Sequence, residues 1–123
     1  MDKDYDKHYE PTKIFKLINE AKAAELERFN LDGFLIKPYS ERYELFEKSL
    51  NCSLCNRVGN HFKIREVDVK GKISHHINLF SEDGMLMTKD HIIPKSKGGK
   101  NEQSNYQTMC SECNALKGSN INV

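Results

Sequence analysis

The chain has 123 residues, 37% of them hydrophobic and none of them tryptophan, which limits it to one ordinary domain with a modest core. Its formal net charge is only +1, so the total says little about nucleic acid. No apolar segment approaches the roughly 20 residues of a membrane helix, and the N-terminal stretch MDKDYDKHYE lacks the apolar centre of a secretory signal. The charge is unevenly spread. Residues 1–50 hold nine Lys/Arg against eleven Asp/Glu, and residues 51–123 hold ten against seven. The basic half also carries all four cysteines and four of the five histidines. Paired cysteines without an export signal point to the cytoplasm, where metal binding is commoner than disulfides.

Residues 1–10 show no helical or strand period and read as a loose arm. The stretch PTKIFKLINEAKAAELERFN reads as a helix. Pro11 sits near its start, apolar residues from Ile14 to Phe29 follow i, i+3/i+4 spacing, and Asp32-Gly33 is its expected stop. Ser40 is placed to cap a second, shorter helix through Glu41 and Phe46. HFKIREVDV and KISHHINLF, parted by Lys70-Gly71, predict a hairpin. After a turn at Glu82-Asp83-Gly84, MLMTKDHII is a third strand, SKGGKNEQSN a loop, YQTMC a short strand and SECNALKGS a short helix ended by Gly118.

The spacing Cys52-Ser-Leu-Cys55 with Cys110-Ser-Glu-Cys113 is the most specific signal. Two residues between thiolates let each pair reach one ion, and two pairs complete the tetrahedral sulfur set of a structural zinc. Soft thiolates also suit iron, but two knuckles in a small domain favour zinc. Two disulfides or four free thiols are the alternatives. A zinc here would tie the start of the C-terminal half to its end, and with all four positions filled it would leave none for substrate.

The segment DHIIPKSKGGKNEQSNYQTMCSECNALKG places Asp90-His91, Pro94, Gly98-Gly99, Asn105, the second cysteine pair, Asn114 and Lys117 in one unit. With the upstream CSLC it resembles the HNH endonuclease family over roughly residues 50–118, in the form with asparagine at the third signature position and two CxxC zinc knuckles. The resemblance implies an α+β fold: a zinc-stabilised ββα-metal core in residues 51–123, with an N-terminal arm and helical segment in residues 1–50. It further implies that His91 is the general base that activates water, and that Asn105 braces the loop and orients it. Asp90 and Asn114 would be ligands of a catalytic Mg²⁺ or Mn²⁺, hard ions that accept a carboxylate and an amide oxygen and keep several waters.

Successive strand side chains face opposite ways, so the strand should bend or end near Asp90-His91 for both to meet one phosphate. Lys95, Lys97, Lys100 and Lys117 are expected on the phosphate backbone. Adjacent His75 and His76 are left outside the site. The expected activity is hydrolysis of DNA phosphodiesters, one strand per active site, with a homodimer or protein partner docking on the N-terminal helices as an option. The alternative is a zinc-dependent module that binds nucleic acid or protein without cutting.

Overall fold

The computed structural model describes residues 2–118. Helix α1 spans Pro11–Ala23 and buries Ile14, Ile18 and Ala21. It stops well short of the expected end, because Glu25 turns left-handed at φ 55° and the chain reverses. Strands β2 (Phe29–Leu31) and β3 (Phe34–Ile36) then form a hairpin where the sequence predicted the helix terminus. Asp32 and Gly33 are its turn, at φ 51° and 93°, and Asn30 Oδ1 accepts the Gly33 N–H at 2.8 Å. An Asp-Gly pair with both φ angles positive matches the twist of a two-residue hairpin. Phe29 and Leu31 are buried and Asn30 between them is exposed, so the short-range period is two, not 3.6. Helix α2 (Glu41–Lys48) starts as expected, with Ser40 Oγ accepting the Arg42 N–H at 3.2 Å.

The long hairpin of β4 (Gly59–Val69) and β5 (Lys72–Ser81) closes at Lys70-Gly71, as its sequence predicts. It is the centre of a five-stranded sheet in the order β1 (Lys3–Asp4), β4, β5, β3, β2. Strand β1 pairs with Glu66 and Arg65 of β4, so the N-terminal arm is not loose. Arg65 reaches Asp4 and Asp2 at 2.9 and 3.2 Å. Tyr9 exchanges backbone hydrogen bonds with Phe62 and buries its ring. Tyr9 Oη also donates to Asp32 at 2.6 Å, which ties the arm to the β2–β3 turn. Residues on both sides of position 50 therefore share one sheet and one core, centred on Ile14, Ile36, Phe46, Phe62, Ile77 and Leu79.

The C-terminal unit holds a second, two-stranded sheet. Strands β6 (Met87–His91) and β7 (Tyr106–Cys110) pair antiparallel, and helix α3 (Ser111–Lys117) follows directly. This is the expected strand–strand–helix order, with mixed helix and strand overall as an α+β fold requires. The last residue of the expected final helix segment, Ser119, lies outside the described residues. Met87, Met109, Cys110 and Cys113 join the common core and seat the unit against the sheet.

Candidate active site and metal centre

The first cysteine knuckle is a tight turn folded over β7. The Cys52 N–H donates to Arg57 O at 2.8 Å, and the Asn56 N–H to Cys52 O at 3.0 Å. The Ser53 N–H donates to Thr108 O at 2.9 Å, while Thr108 Oγ1 donates to Ser49 O at 2.7 Å, so the knuckle is bracketed on β7. The second knuckle is the β7–α3 junction, where Cys110 Sγ accepts the Cys113 N–H at 3.4 Å. The four sulfurs lie within 4.8 Å of one another, and Cys55 and Cys110 are 3.7 Å apart. A tetrahedron of sulfurs about 2.3 Å from zinc has edges of about 3.8 Å.

No disulfide joins any of the four cysteines, so the disulfide alternative is not realised. Burial works to raise the Cys52 thiol, but knuckle backbone N–H groups outweigh it and hold it at about 6. Burial and the neighbouring sulfurs push Cys113 up. Sulfurs this close ionise together only around a cation, which is the chemistry of a structural zinc site. Sequence reading missed Arg57, whose guanidinium donates to Cys110 Sγ at 3.3 Å and to Asp83 at 3.1 Å. Its charge offsets part of the negative charge that four thiolates would leave around a dication.

The second centre is a cleft of about 260 Å³ between the end of β6, the following loop and α3. Asp90, His91, Lys95, Asn114 and Lys117 line it together, so five of the expected site residues converge there. Strand β6 ends at His91, and Ile92 and Ile93 beyond it are exposed. Both members of the Asp-His pair can thus serve one hollow.

Asp90 is 7% exposed, and its Oδ2 is fully engaged. Gln107, its partner across the strands, donates to that oxygen at 2.9 Å, and Lys117 Nζ lies 3.1 Å from it. Among the described residues, no hydrogen bond is made to Oδ1. Thr88 Oγ1 donates to Met109 O at 2.7 Å, so it can only accept from Asn114 Nδ2, which it does at 2.9 Å. That contact fixes the amide and leaves Asn114 Oδ1 for the cleft. One carboxylate oxygen and one amide oxygen form a hard donor set that fits Mg²⁺ or Mn²⁺.

Lys117, expected on a phosphate, is only 3% exposed. Besides its ion pair with Asp90, its ammonium donates to His91 O at 2.9 Å. It thereby holds the backbone and the carboxylate of the Asp-His pair at once. His91 packs edge-on against Tyr106 with ring centroids 5.1 Å apart. Its Nε2 is 2.8 Å from Asn101 Oδ1. With that oxygen accepting, Nε2 carries the proton and Nδ1 keeps the lone pair a base needs. Asn101 was not anticipated: nothing in a loop asparagine's spacing marks it as a histidine partner.

Asn105 does not line the cleft but builds its rim. Its side chain accepts the Ile93 N–H at 2.9 Å and donates to Ile93 O at 3.1 Å and Lys100 O at 2.9 Å. One buried amide therefore staples both ends of the lysine-glycine loop. Gly99 is required there, since a Cβ would lie 1.7 Å from Ile93 O. Lys97 and Lys100 are exposed on this loop, outside the cleft lining. Lys89, also not anticipated, lines the cleft, with its Nζ 3.6 Å from Glu41 and 4.2 Å above the Tyr106 ring. His75 and His76 lie elsewhere, on β5, and His75 bonds Glu66 at 3.0 Å.

No helix among the described residues is long and apolar enough to cross a membrane. Comparison with curated proteins and with solved structures finds no match. Residues 80–122, however, match the sequence model of a family described as HNH endonuclease. That span carries Asp90, His91, Asn105, Asn114 and the second cysteine pair, while Cys52 and Cys55 complete the sulfur cluster from outside it. Residues 80–122 are therefore similar to the HNH endonuclease family, and they lie beside a cluster of four cysteines that could hold a metal ion.

Proposed function

We propose that this protein is a metal-dependent endonuclease that hydrolyses DNA phosphodiester bonds at the Asp90–His91–Asn114 cleft. The observation that carries this reading is the convergence of a carboxylate, an imidazole and an oriented amide on one small hollow within the family segment. Binding alone needs no base beside a hard-ion donor set. Asp90 and Asn114 would hold a divalent ion, which would supply Lewis-acid stabilisation of the charge developing in the phosphodiester.

The chain's own residues do the rest. His91 takes a proton from water at Nδ1 as that water attacks phosphorus, and the bond from phosphorus to the 3′ oxygen breaks. The leaving oxygen is protonated by solvent, giving a 5′-phosphate and a 3′-hydroxyl, the products that the family resemblance implies. Asn101 holds the ring from its far side, and Tyr106 limits its tilt. Lys117 acts on Asp90 and the His91 carbonyl as a positioning residue. Asn105 keeps the loop closed, so that Lys95, Lys97 and Lys100 present their charges to flanking phosphates. The four cysteines would hold a zinc ion, which would fix α3 against β6 and β7 and so the position of Asn114 relative to Asp90.

The test uses end-labelled DNA and RNA of the same sequence, incubated with Mg²⁺ or Mn²⁺. Metal-dependent cuts in DNA that leave ligatable 5′-phosphate ends are expected. Cleavage restricted to RNA would overturn the substrate, and no cleavage of either would overturn the reaction.

A further inference from the structure

A second hollow lies outside the matched residues. It is a groove of about 970 Å³ between α2's first turn, the β2–β3 hairpin and the turn-proximal half of β5. Its walls hold Arg28, Lys37, Arg42 and Lys72 against a single carboxylate, Glu27. Arg28 is paired with that Glu27, 3.1 Å away and exposed. Arg42 is held at the base by Asn78 Oδ1 at 3.0 Å. Among the described residues, the side chains of Lys37 and Lys72 have no ion-pair or hydrogen-bond partner, and both are exposed. The apolar part of the wall is also uncovered: Tyr39 is 55% exposed, and Leu35 and Ile73 are similarly open.

We infer that this groove binds an unpaired segment of the nucleic-acid strand that enters the cleft, with phosphates on Lys37 and Lys72 and a base against Tyr39. Charge selects a polyanion, because unpaired lysines around one neutralised carboxylate leave a positive field. Shape and composition select a strand without a partner. An exposed aromatic in a concave wall can stack a free base, whereas a duplex hides its base faces. Continuity with the cleft comes from α2. Its first two residues divide the hollows: Arg42 faces the groove, and Glu41 faces the cleft rim. Glu41 lies 3.6 Å from Lys89 and accepts from Tyr106 Oη at 2.8 Å, so its charge is offset where the strand would cross. The inference rests on the nucleic-acid substrate of the preceding section, but not on catalysis.

The experiment measures binding of a fluorescent 20-nucleotide oligo-dT and of a blunt duplex to the full chain carrying His91→Ala, without added Mg²⁺. Lys37→Ala/Lys72→Ala is expected to weaken oligo-dT binding at least tenfold, and to lower the slope of log K against log salt by about 1.4, or 0.7 per phosphate contact. Tyr39→Ala is expected to cost about tenfold for oligo-dT and little for the duplex. All three side chains are exposed, so the fold should survive, and circular dichroism checks that. Unchanged oligo-dT affinity in the variants overturns the inference, and so does equal weakening for duplex and single strand. If the groove variants behave as expected while wild type cuts nothing, the catalytic reading fails and the groove stands.

Discussion

Replacing Lys117 by methionine keeps the length of the side chain and removes its charge. Two contacts disappear, the 3.1 Å ion pair to Asp90 and the 2.9 Å hydrogen bond to His91 O. Lys117 and Asp90 are both almost fully buried, so water cannot replace the ammonium easily. Asp90 would be left as a buried carboxylate with only Gln107 to satisfy it. Removing one partner of a buried pair costs about 3–5 kcal/mol, because the surviving charge stays desolvated. Asp90→Asn alone strands the opposite charge. The double variant Asp90→Asn/Lys117→Met removes both charges, leaving chiefly the His91 carbonyl without its donor, a loss of about 1–3 kcal/mol.

The double variant should therefore be more stable than Lys117→Met alone, with a coupling of about 2 kcal/mol or more in the double-mutant cycle. Urea unfolding followed by circular dichroism at pH 7, with zinc present throughout, gives all four corners. The reasoning is refuted if Lys117→Met lies within about 1 kcal/mol of wild type, or if the two substitutions add to within about 0.5 kcal/mol. Either result would mean that Lys117 points into solvent, as a phosphate-contacting lysine would.

Gly99→Ala should reduce cutting about a hundredfold while zinc content stays unchanged, because the Ile93 carbonyl must move away and the Asn105 staple opens; nicking rates beside metal analysis check this. Stripping metal with a strong chelator should make all four cysteines reactive to a thiol reagent and lower the unfolding midpoint, whereas the zinc-loaded protein should protect them; equal reactivity in both states would remove zinc from the account. Stability should fall as pH drops below about 6.5, the ordinary histidine value. Burial, then the nearby His8 and Lys63, hold His61 below that value. Burial, then Arg42 and Arg65, do the same to His76, with Asp2 and Asp4 opposing. The unfolded chain thus binds protons that the folded chain resists, and stability is lost through the window between the unfolded and the lowered folded values. Denaturant midpoints at pH 7, 6 and 5 should decline, and less so in His61→Gln.

The C-terminal unit was legible because its information is local. Each CxxC spacing, the Asp90-His91 pair and the residues from Gly98 to Lys117 are patterns readable over a short stretch, and the strands and helix they imply are where expected. The N-terminal half was harder. Apolar residues from Ile14 to Phe29 fit a helical period across a segment that in fact reverses at Glu25, and Asp32-Gly33 reads as a helix stop as readily as a hairpin turn. The strand at Lys3–Asp4 depends on pairing with Arg65 and Glu66, a partner some sixty residues away that no local pattern announces. The surroundings of Lys117 were hidden for a similar reason. A lysine in a short terminal helix is normally solvated, and only the packing of α3 on β6 buries its ammonium beside Asp90.

The central claim is that His91 activates water in a metal-dependent cut. Purified protein is incubated with supercoiled plasmid in Mg²⁺, Mn²⁺ or EDTA, beside His91→Ala shown to keep its zinc and its fold. The account predicts relaxation of the plasmid with either metal, none in EDTA, and none by the variant. Equal relaxation by wild type and His91→Ala, or none by either under both metals, would contradict it.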